Sequence, residues 1–231
     1  MEKKPAGVIF FFLSLALMAC LGAGSDAKST DPDNLFLDYK IWGEEGNDSV
    51  TIMLFFREDG PTGPAVRIAE PGQVELDGER LLPDSNDMTG VYYPATREIS
   101  RFTGKHNIRF TSENRKMYRE DFVFRPFTLK ESLPDTISRS RFRILLEGLN
   151  KQDMIRLLVS DTSFPGIGID RLETVLDNQL VLTRSSLSYL VNGPLFIELT
   201  KEAGWPMDKG TSAGGLVSIS YTIRRESFLA D

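Results

Sequence analysis

Apolar and polar residues alternate with a period of two through most of the chain after residue 34. In the first such segment Leu35, Leu37, Tyr39 and Ile41 share one face, which is typical of a half-buried strand. The same reasoning predicts strands at residues 50–56, 74–76, 88–93, 106–110, 118–124, 142–146, 155–159, 180–182, 195–199 and 217–223. No segment has a convincing helical pattern of three turns, and only 185–190 suggests one short helical turn. The chain is therefore predicted to be all-β.

Turn residues separate the predicted strands into two groups. Asp77-Gly78 is a hairpin signal, since both residues tolerate positive φ angles, and Asp177-Asn178 marks a turn in the second group. Phe127–Pro134 lies between the groups and is predicted to be a linker. A weak internal repeat agrees with this division, because Gly104 and Gly193 each follow a short turn and precede a long strand.

Short strands with frequent turn signals, spaced over two segments of similar length, resemble tandem immunoglobulin-like β-sandwich domains. The cysteine pair that marks antibody domains is missing from both segments. The resemblance implies a first domain over residues 35–126 and a second over 127–231. The alternative is one large sandwich or barrel.

The N-terminus has the layout of a secretory signal, with Lys3 and Lys4 before a short apolar run. A membrane-spanning helix needs about 20 apolar residues, and this run is shorter. Leu17-Met18-Ala19-Cys20 resembles the bacterial lipobox, which implies a cleaved signal peptide over residues 1–19 and a lipid on Cys20. An ordinary signal peptide with an incidental cysteine is the alternative. The small polar residues up to 34 predict a flexible tether over 20–34.

The whole chain resembles the tandem β-sandwich lipoproteins of Gram-negative envelopes, most of which have no assigned activity. In that family an Asp after the lipidated cysteine favours the inner membrane. Leu21 stands at this position, so the resemblance implies an outer-membrane protein whose first partner is the membrane itself, through the lipid anchor at Cys20.

Charge and cysteine content exclude several functions. The formal net charge of −6 argues against a nucleic-acid partner, which favours concentrated positive charge. Because Cys20 is the only cysteine, we expect neither disulfides nor cysteine-ligated zinc.

Catalytic groups do not form a recognisable set. His106 is the only histidine and lies in phase with a predicted strand, so we expect it to be packed rather than catalytic. Glu44, Glu45, Asp59 and Asp87 fall in predicted turns, where acidic residues serve turn geometry. The sequence therefore predicts no enzyme and no cofactor.

Four loops or clusters suggest ligand binding only weakly. Asp84–Asp87 and Asp31–Asn34 offer oxygen ligands without the spacing of a calcium loop, so no metal site is predicted. The segment 209–215 lacks the spacing of a phosphate-binding loop and is predicted to be a flexible hairpin tip. Arg139, Arg141 and Arg143 are predicted to line one strand face, which suits an acidic glycan or, more simply, a charged outer surface.

Four aromatic residues are the candidates for ligand or partner contact. Trp42 is out of phase with the core face of its strand, and Trp205 is predicted to lie in a Gly-Trp-Pro loop. Tyr92 and Tyr93 are a third possibility. Exposed rings of this kind stack on sugars or anchor partners, although they also cap the ends of sandwiches.

These observations predict a non-enzymatic binding or adhesion module, with polysaccharide as the first candidate ligand and Trp205 as its main contact. A structural component of an envelope protein complex is the alternative. In that case the final strand, Gly215–Arg224, would be an exposed edge that pairs with another protein. An enzyme with an unrecognised site is the third possibility.

Overall fold

The computed structural model describes residues 31–151, 153–163 and 168–231, and strands dominate these residues. The predicted all-β class is confirmed. The helices are short: a 3-10 helix at Pro32–Asn34, α1 at Ile99–Phe102 and α2 at Arg184–Leu187. No helix in the described ranges is both long and apolar enough to cross a membrane. The predicted signal peptide and Cys20 lie outside these ranges.

The first half of the described chain is a two-sheet sandwich. Its eight strands are β1 (Leu35–Glu44), β2 (Ser49–Glu58), β3 (Gln73–Leu76), β4 (Glu79–Leu81), β5 (Asp84–Asn86), β6 (Gly90–Glu98), β7 (Gly104–Thr111) and β8 (Met117–Phe124). One sheet has the order β1-β2-β6-β5 and the other β4-β3-β7-β8. This is the A-B-E-D and C-F-G order of an immunoglobulin-like sandwich, with β4 as an added strand.

The second half follows the same plan. Its strands are β9 (Thr128–Leu129), β10 (Thr136–Ser138), β11 (Phe142–Glu147), β12 (Met154–Ser160), β13 (Ile169–Thr174), β14 (Gln179–Leu182), β15 (Gly193–Thr211) and β16 (Gly214–Ala230). The pair β11 and β14, with β9, forms one sheet, and β13-β12-β15-β16 forms the other with β10 added beside β16. The strands β11 and β14 occupy the B and E positions, and β12, β15 and β16 occupy C, F and G.

The hairpin β15–β16 extends beyond the second half and joins the two halves. The first part of β15 pairs with β12 as far as Lys201, and the rest continues along the first half. There β16 runs parallel to β1, in register from Leu37 opposite Gly215 to Glu44 opposite Thr222. One nine-stranded sheet therefore passes through both halves.

The tip of this hairpin is held in place by the segment before β1. The backbone N–H of Ala213 donates to the carbonyl oxygen of Asp33 at 3.0 Å, and the hydroxyl of Ser212 donates to the same oxygen at 2.6 Å. Thr211 Oγ1 donates to the carbonyl of Leu35. The chain reverses within the predicted tip at 209–215, but β15 continues to Thr211. The residues of the reversal are fixed by these hydrogen bonds, so the tip is not a flexible loop.

Period-two alternation and the turn signals correspond to the observed elements. The core face predicted for β1 is buried, and the phenyl rings of Phe56 on β2 and Phe110 on β7 meet across the first sandwich with centroids 4.8 Å apart. Asp77 and Asp177 both have positive φ angles, as the hairpin turns require. Gly104 and Gly193 begin β7 and β15 at φ values of 136° and 138°, so the two repeat positions share one backbone conformation.

The predicted linker Phe127–Pro134 is packed against the second half, because Phe127 is buried and Thr128 pairs with Glu147 of β11. The prediction that the final strand is an exposed edge is wrong, because β16 has β15 on one side and β1 on the other. The division between residues 126 and 127 stays a prediction, with the qualification that the long hairpin contributes to both halves.

Candidate binding face

The outer face of the nine-stranded sheet carries Trp42 near its centre. The core-facing neighbour Ile41 is buried, so alternation directs the indole of Trp42 away from the core, where it is 37% exposed. Its direct cross-strand neighbours are Thr51 on β2 and Ser220 on β16, and Thr51 is followed by Thr96 on β6. We call Thr96, Thr51, Trp42 and Ser220 the Trp42 row. It places an aromatic ring among small hydroxyl-bearing side chains.

Beside this row, two cations cover an outward-facing aromatic ring. Lys40 Nζ lies 5.4 Å and Arg57 Cζ 4.9 Å from the centroid of Phe55, which is buried although it points away from the core. The carboxylate of Asp38 accepts a hydrogen bond from Arg57 Nε at 3.3 Å and lies 3.5 Å from Lys40 Nζ. This arrangement fixes the two cations over Phe55, because each is held by both a ring and a carboxylate. Lys40 is the nearer one to Trp42, two residues away on the same face of β1.

The predicted pair Tyr92 and Tyr93 is not an exposed aromatic site. Tyr92 packs beside Phe55 and donates its hydroxyl to Asp84 Oδ2 at 3.3 Å. Tyr93 points into the core, where its hydroxyl accepts the backbone N–H of Ile68 at 2.9 Å and burial raises the pKa of the phenol. The prediction of exposure is wrong for both residues.

Trp205 lies within β15 and not in a loop, so its predicted position is wrong. It pairs with Val217 and packs against the hydrophobic core. Its indole N–H donates to Glu120 Oε1 on β8 at 2.8 Å. The extended hairpin is thereby attached to the edge of the opposite sheet. The indole N–H, which is the only polar group of the side chain, is therefore already bonded to Glu120.

The side chain of His106 is packed and hydrogen-bonded, as the sequence predicts. Its Nδ1 lies 2.8 Å from Asp77 Oδ2 and its Nε2 lies 2.7 Å from the carbonyl oxygen of Phe102, while its ring stacks on the Phe102 ring at 3.8 Å. A carboxylate and a carbonyl only accept hydrogen bonds. Both ring nitrogens therefore lie within hydrogen-bond distance of acceptor atoms of the protein itself.

Two of the acidic candidates form ion pairs and a third occupies a turn. Glu44 and Glu45 form ion pairs with Arg224 and Arg225 of β16, and Asp59 occupies a turn position with a φ of 57°. Within the described ranges, histidine, cysteine and acidic side chains nowhere form a group of three that could hold a metal ion.

In the two predicted oxygen-rich loops, side-chain oxygens accept hydrogen bonds from nearby backbone N–H groups, as they do in turns. In Asp84–Asp87, Asn86 Oδ1 accepts the backbone N–H groups of Met88 and Thr89 at 3.0 and 2.9 Å. In Asp31–Asn34, Asp31 Oδ1 accepts the N–H of Asp33 at 3.1 Å and so caps the 3-10 helix.

The three arginines of the predicted charged strand face do not share a strand. Arg143 lies in β11, whereas Arg139 and Arg141 lie in the connection between β10 and β11. That prediction is wrong because the strand begins only at Phe142.

No protein-family model matches the chain, and no curated protein matches it. Solved structures show a distant likeness. A tetra-tandem repeat from the extending region of a large adhesion protein is 14% identical with a TM-score of 0.26, covering 84% of this chain and 49% of that one. The chain therefore spans about half the length of that structure.

Two further solved structures have a comparable likeness. The IG1+IG2 fragment of DIP-gamma is 10% identical with a TM-score of 0.24, over 81% of this chain and 94% of that one. The adhesin InvE of Yersinia pseudotuberculosis is 10% identical with a TM-score of 0.22, over 82% and 58% of the two chains. At these scores the likeness carries no argument about function, and the immunoglobulin-like plan stands on the strand order itself.

Proposed function

We propose that this chain is a non-enzymatic binding or adhesion module whose contact surface is the sheet face around the Trp42 row. The observation that carries this proposal is the exposed indole of Trp42 on β1, a strand that is paired on both sides. Large aromatic rings contribute much of the free energy of binding at interfaces.

The rigidity of this face favours binding. Both neighbours of β1 hold its backbone in register over eight or more residue pairs, so Trp42 and its hydroxyl neighbours are fixed before a ligand arrives. A preorganised surface loses little conformational entropy on association. Lys40, two residues from Trp42 on the same strand face, is held over the Phe55 ring beside the carboxylate of Asp38.

A polysaccharide is the first ligand to test. A sugar ring presents apolar C–H groups that stack on an indole, while its hydroxyls can bond to the side chains of Thr51 and Ser220. In this version Trp42 replaces Trp205 as the main contact, because the indole of Trp205 packs on the core and is bonded to Glu120.

The proposed location is the outer membrane, with the module anchored by lipid on Cys20. The tether is the part of the predicted 20–34 segment that precedes the 3-10 helix at Pro32–Asn34, since that helix is bonded to the hairpin tip. Support comes from the sequence alone: the single cysteine stands at the end of the lipobox-like Leu17–Cys20 segment, and Leu21 follows it. Multiple acyl chains on one residue give stable anchoring.

The experiment is a binding measurement with the full chain in detergent micelles against a panel of neutral polysaccharides. We expect saturable binding that falls at least about tenfold in Trp42→Ala, since one stacked ring contributes on the order of 1–2 kcal/mol. Tyr189→Ala is the matched control, because Tyr189 is an exposed aromatic residue of the second half. Equal affinity of Trp42→Ala and the wild type would exclude this face as the site.

A structural role in an envelope complex is a second candidate, supported by the edge strand β13. This strand pairs only with β12 among the described strands, and Leu172 on it is exposed. An unpaired edge is a template for strand addition by a partner. A partner that co-purifies with the wild type but not with Leu172→Lys would favour this role.

A further inference from the structure

A groove at the second half of the molecule is lined mainly by arginine and serine. It lies between the β10–β11 connection and α2 and has a volume of about 730 Å³. The lining residues are Ser138, Arg139, Ser140, Arg141, Arg184, Ser188 and Asp231. Ligand sites in proteins have volumes of roughly 300–1,000 Å³, so the groove is large enough for a small ligand or a segment of a longer one.

Arg139 lines one side of this groove and holds its two sides together. Its guanidinium donates to the carbonyl oxygens of Leu187 and Leu190 at 2.6 and 2.8 Å and to the amide oxygen of Asn192. It also pairs with Asp231 at 2.8 Å. These bonds tie the β10–β11 connection to the segment that follows α2, and the charge of Asp231 is offset by Arg139.

Arg141 and Arg184 are different, because both are exposed and neither has an ion pair or side-chain hydrogen bond to any described residue. Other exposed arginines of the second half are paired, as Arg156 is with Asp170 at 2.8 Å, although Arg143 on β11 is exposed without such a partner among the described residues. The groove therefore holds two guanidinium groups whose donors are available for a ligand.

Three serine hydroxyls complete the lining. Ser138 and Ser140 are hydrogen-bonded to each other at 2.6 Å, and Ser188 donates to the carbonyl oxygen of Ser185 at 2.7 Å. A hydroxyl that donates one bond keeps its acceptor capacity. The surface thus offers acceptors for ligand hydroxyls as well as charged donors for ligand anions.

We propose that this groove binds an acidic oligosaccharide. Carboxylate or sulfate groups of the sugar bind Arg141 and Arg184 through charge-assisted hydrogen bonds, and the sugar hydroxyls bond to the serines. The chain as a whole has a formal net charge of −6, so attraction of an anion depends on this local concentration of positive charge.

This site is separate from the proposed function of the Trp42 face. It uses different residues on the other half of the molecule, and its ligand is acidic where the Trp42 row suits a neutral sugar. Loss of one activity in Trp42→Ala and of the other in an arginine variant would separate the two proposals, and either can fail alone.

The test is isothermal titration of the full chain in neutral detergent with three probes: sulfated heparin oligosaccharides, carboxylated oligogalacturonates and neutral dextran oligosaccharides. We expect at least one acidic probe to bind saturably, with an affinity that falls as salt is raised. Any binding of the neutral probe belongs to the Trp42 face and should be unchanged in the arginine variant and insensitive to salt. The variant Arg141→Gln/Arg184→Gln should lose at least about tenfold in affinity, since charge-assisted bonds are the strongest contacts of such a ligand.

Arg143→Gln is the matched control, because Arg143 is exposed and close in sequence but does not line the groove. It should change affinity less than about twofold. Equal losses in the control and the double variant would show non-specific attraction and overturn the proposal. Failure of both acidic probes to bind, or binding of inorganic sulfate with the same affinity as the sulfated oligosaccharide, would overturn it as well.

Discussion

The indole N–H of Trp205 on β15 donates a hydrogen bond to Glu120 Oε1 on β8 at 2.8 Å. This bond connects the last hairpin of the chain to the edge strand of the opposite sheet in the first half. The buried hydroxyl of Tyr39 lies in the same region, where burial and the nearby Glu120 carboxylate raise its pKa. The residue with the strongest sequence case for ligand contact therefore stabilises the fold.

We predict that Trp205→Phe lowers the free energy of unfolding by about 1–2 kcal/mol, because phenylalanine keeps most of the packing but cannot donate to Glu120. Urea denaturation followed by circular dichroism measures this change. Trp42→Phe is the control: its indole has no hydrogen bond to a described residue, so we expect a change within about 0.5 kcal/mol. Equal stability of Trp205→Phe and the wild type would contradict the assigned role.

Gly43 is predicted to be intolerant of a side chain. A Cβ at this position would lie 3.2 Å from Phe124 Cζ and 3.3 Å from Tyr221 Cδ2, so two core rings would have to shift. We expect Gly43→Ala to cost about 1–3 kcal/mol of stability by overpacking.

Gly204→Ala is the matched control for that substitution. It also lies within a strand, but its Cβ would meet only the carbonyl oxygen of Val217, at an ordinary 3.5 Å. Thermal unfolding of the two variants should separate them. A larger loss in Gly204→Ala than in Gly43→Ala would be inconsistent with the packing described.

His106→Phe should lower stability by about 1–3 kcal/mol, although phenylalanine can still stack on Phe102, because the bonds to Asp77 and to the Phe102 carbonyl are lost. Asp77→Asn should lose less, since an amide can still bond to the imidazole ring. Denaturation midpoints at constant pH provide the comparison. A His106→Phe variant as stable as the wild type would show that packing, and not hydrogen bonding, determines the role of His106.

Asp161 is predicted to make stability depend on acidic pH. Hydrogen bonds from the Ser163 hydroxyl and the Val191 backbone N–H hold the pKa of Asp161 below its ordinary value of 3.8. The folded state therefore binds this proton less readily than the unfolded state, so the stabilisation is complete above pH 3.8 and is lost as the pH falls through the lower folded pKa.

Asp161→Asn should accordingly melt at a lower temperature than the wild type at neutral pH, and the difference should shrink as the pH falls from roughly 5 to 2. Asp208→Asn is the control, because Asp208 is exposed and has no ion pair with a described residue. A constant difference between Asp161→Asn and the wild type over this range would refute the linkage.

Local sequence patterns predict the all-β class and most of the longer strands, because alternation and turn residues act over short distances. The outward direction of Trp42 follows from its phase relative to Ile41 in the same way. Shorter strands such as β5 and β9 contain only three and two residues, which is too few for alternation of apolar and polar positions to be recognised.

The extension of β15 could not be predicted for a specific reason. Gly204, Pro206 and Gly210 favour a loop when they are read locally. They form a strand here because the outer half of β15 is paired on one side only, by β16, and proline is tolerated at such an edge. The positions of Trp205 and of the final strand both depend on this extension, so both were predicted wrongly.

Because β1 pairs in parallel with β16, the first sandwich can finish folding only after the last strand has been synthesised. The pairing begins at Leu37 opposite Gly215, so it joins segments near the two ends of the described chain. Ribosomes synthesise a chain from its N-terminus, and contacts between distant residues form slowly. The edge of β1 in the first sandwich therefore stays unpaired until β16 has been synthesised. In a chain that ends before β16, this edge stays exposed. Exposed strand edges bind other chains. A chain truncated before Gly214 is therefore expected to associate with other chains through β1 more readily than a chain that includes β16.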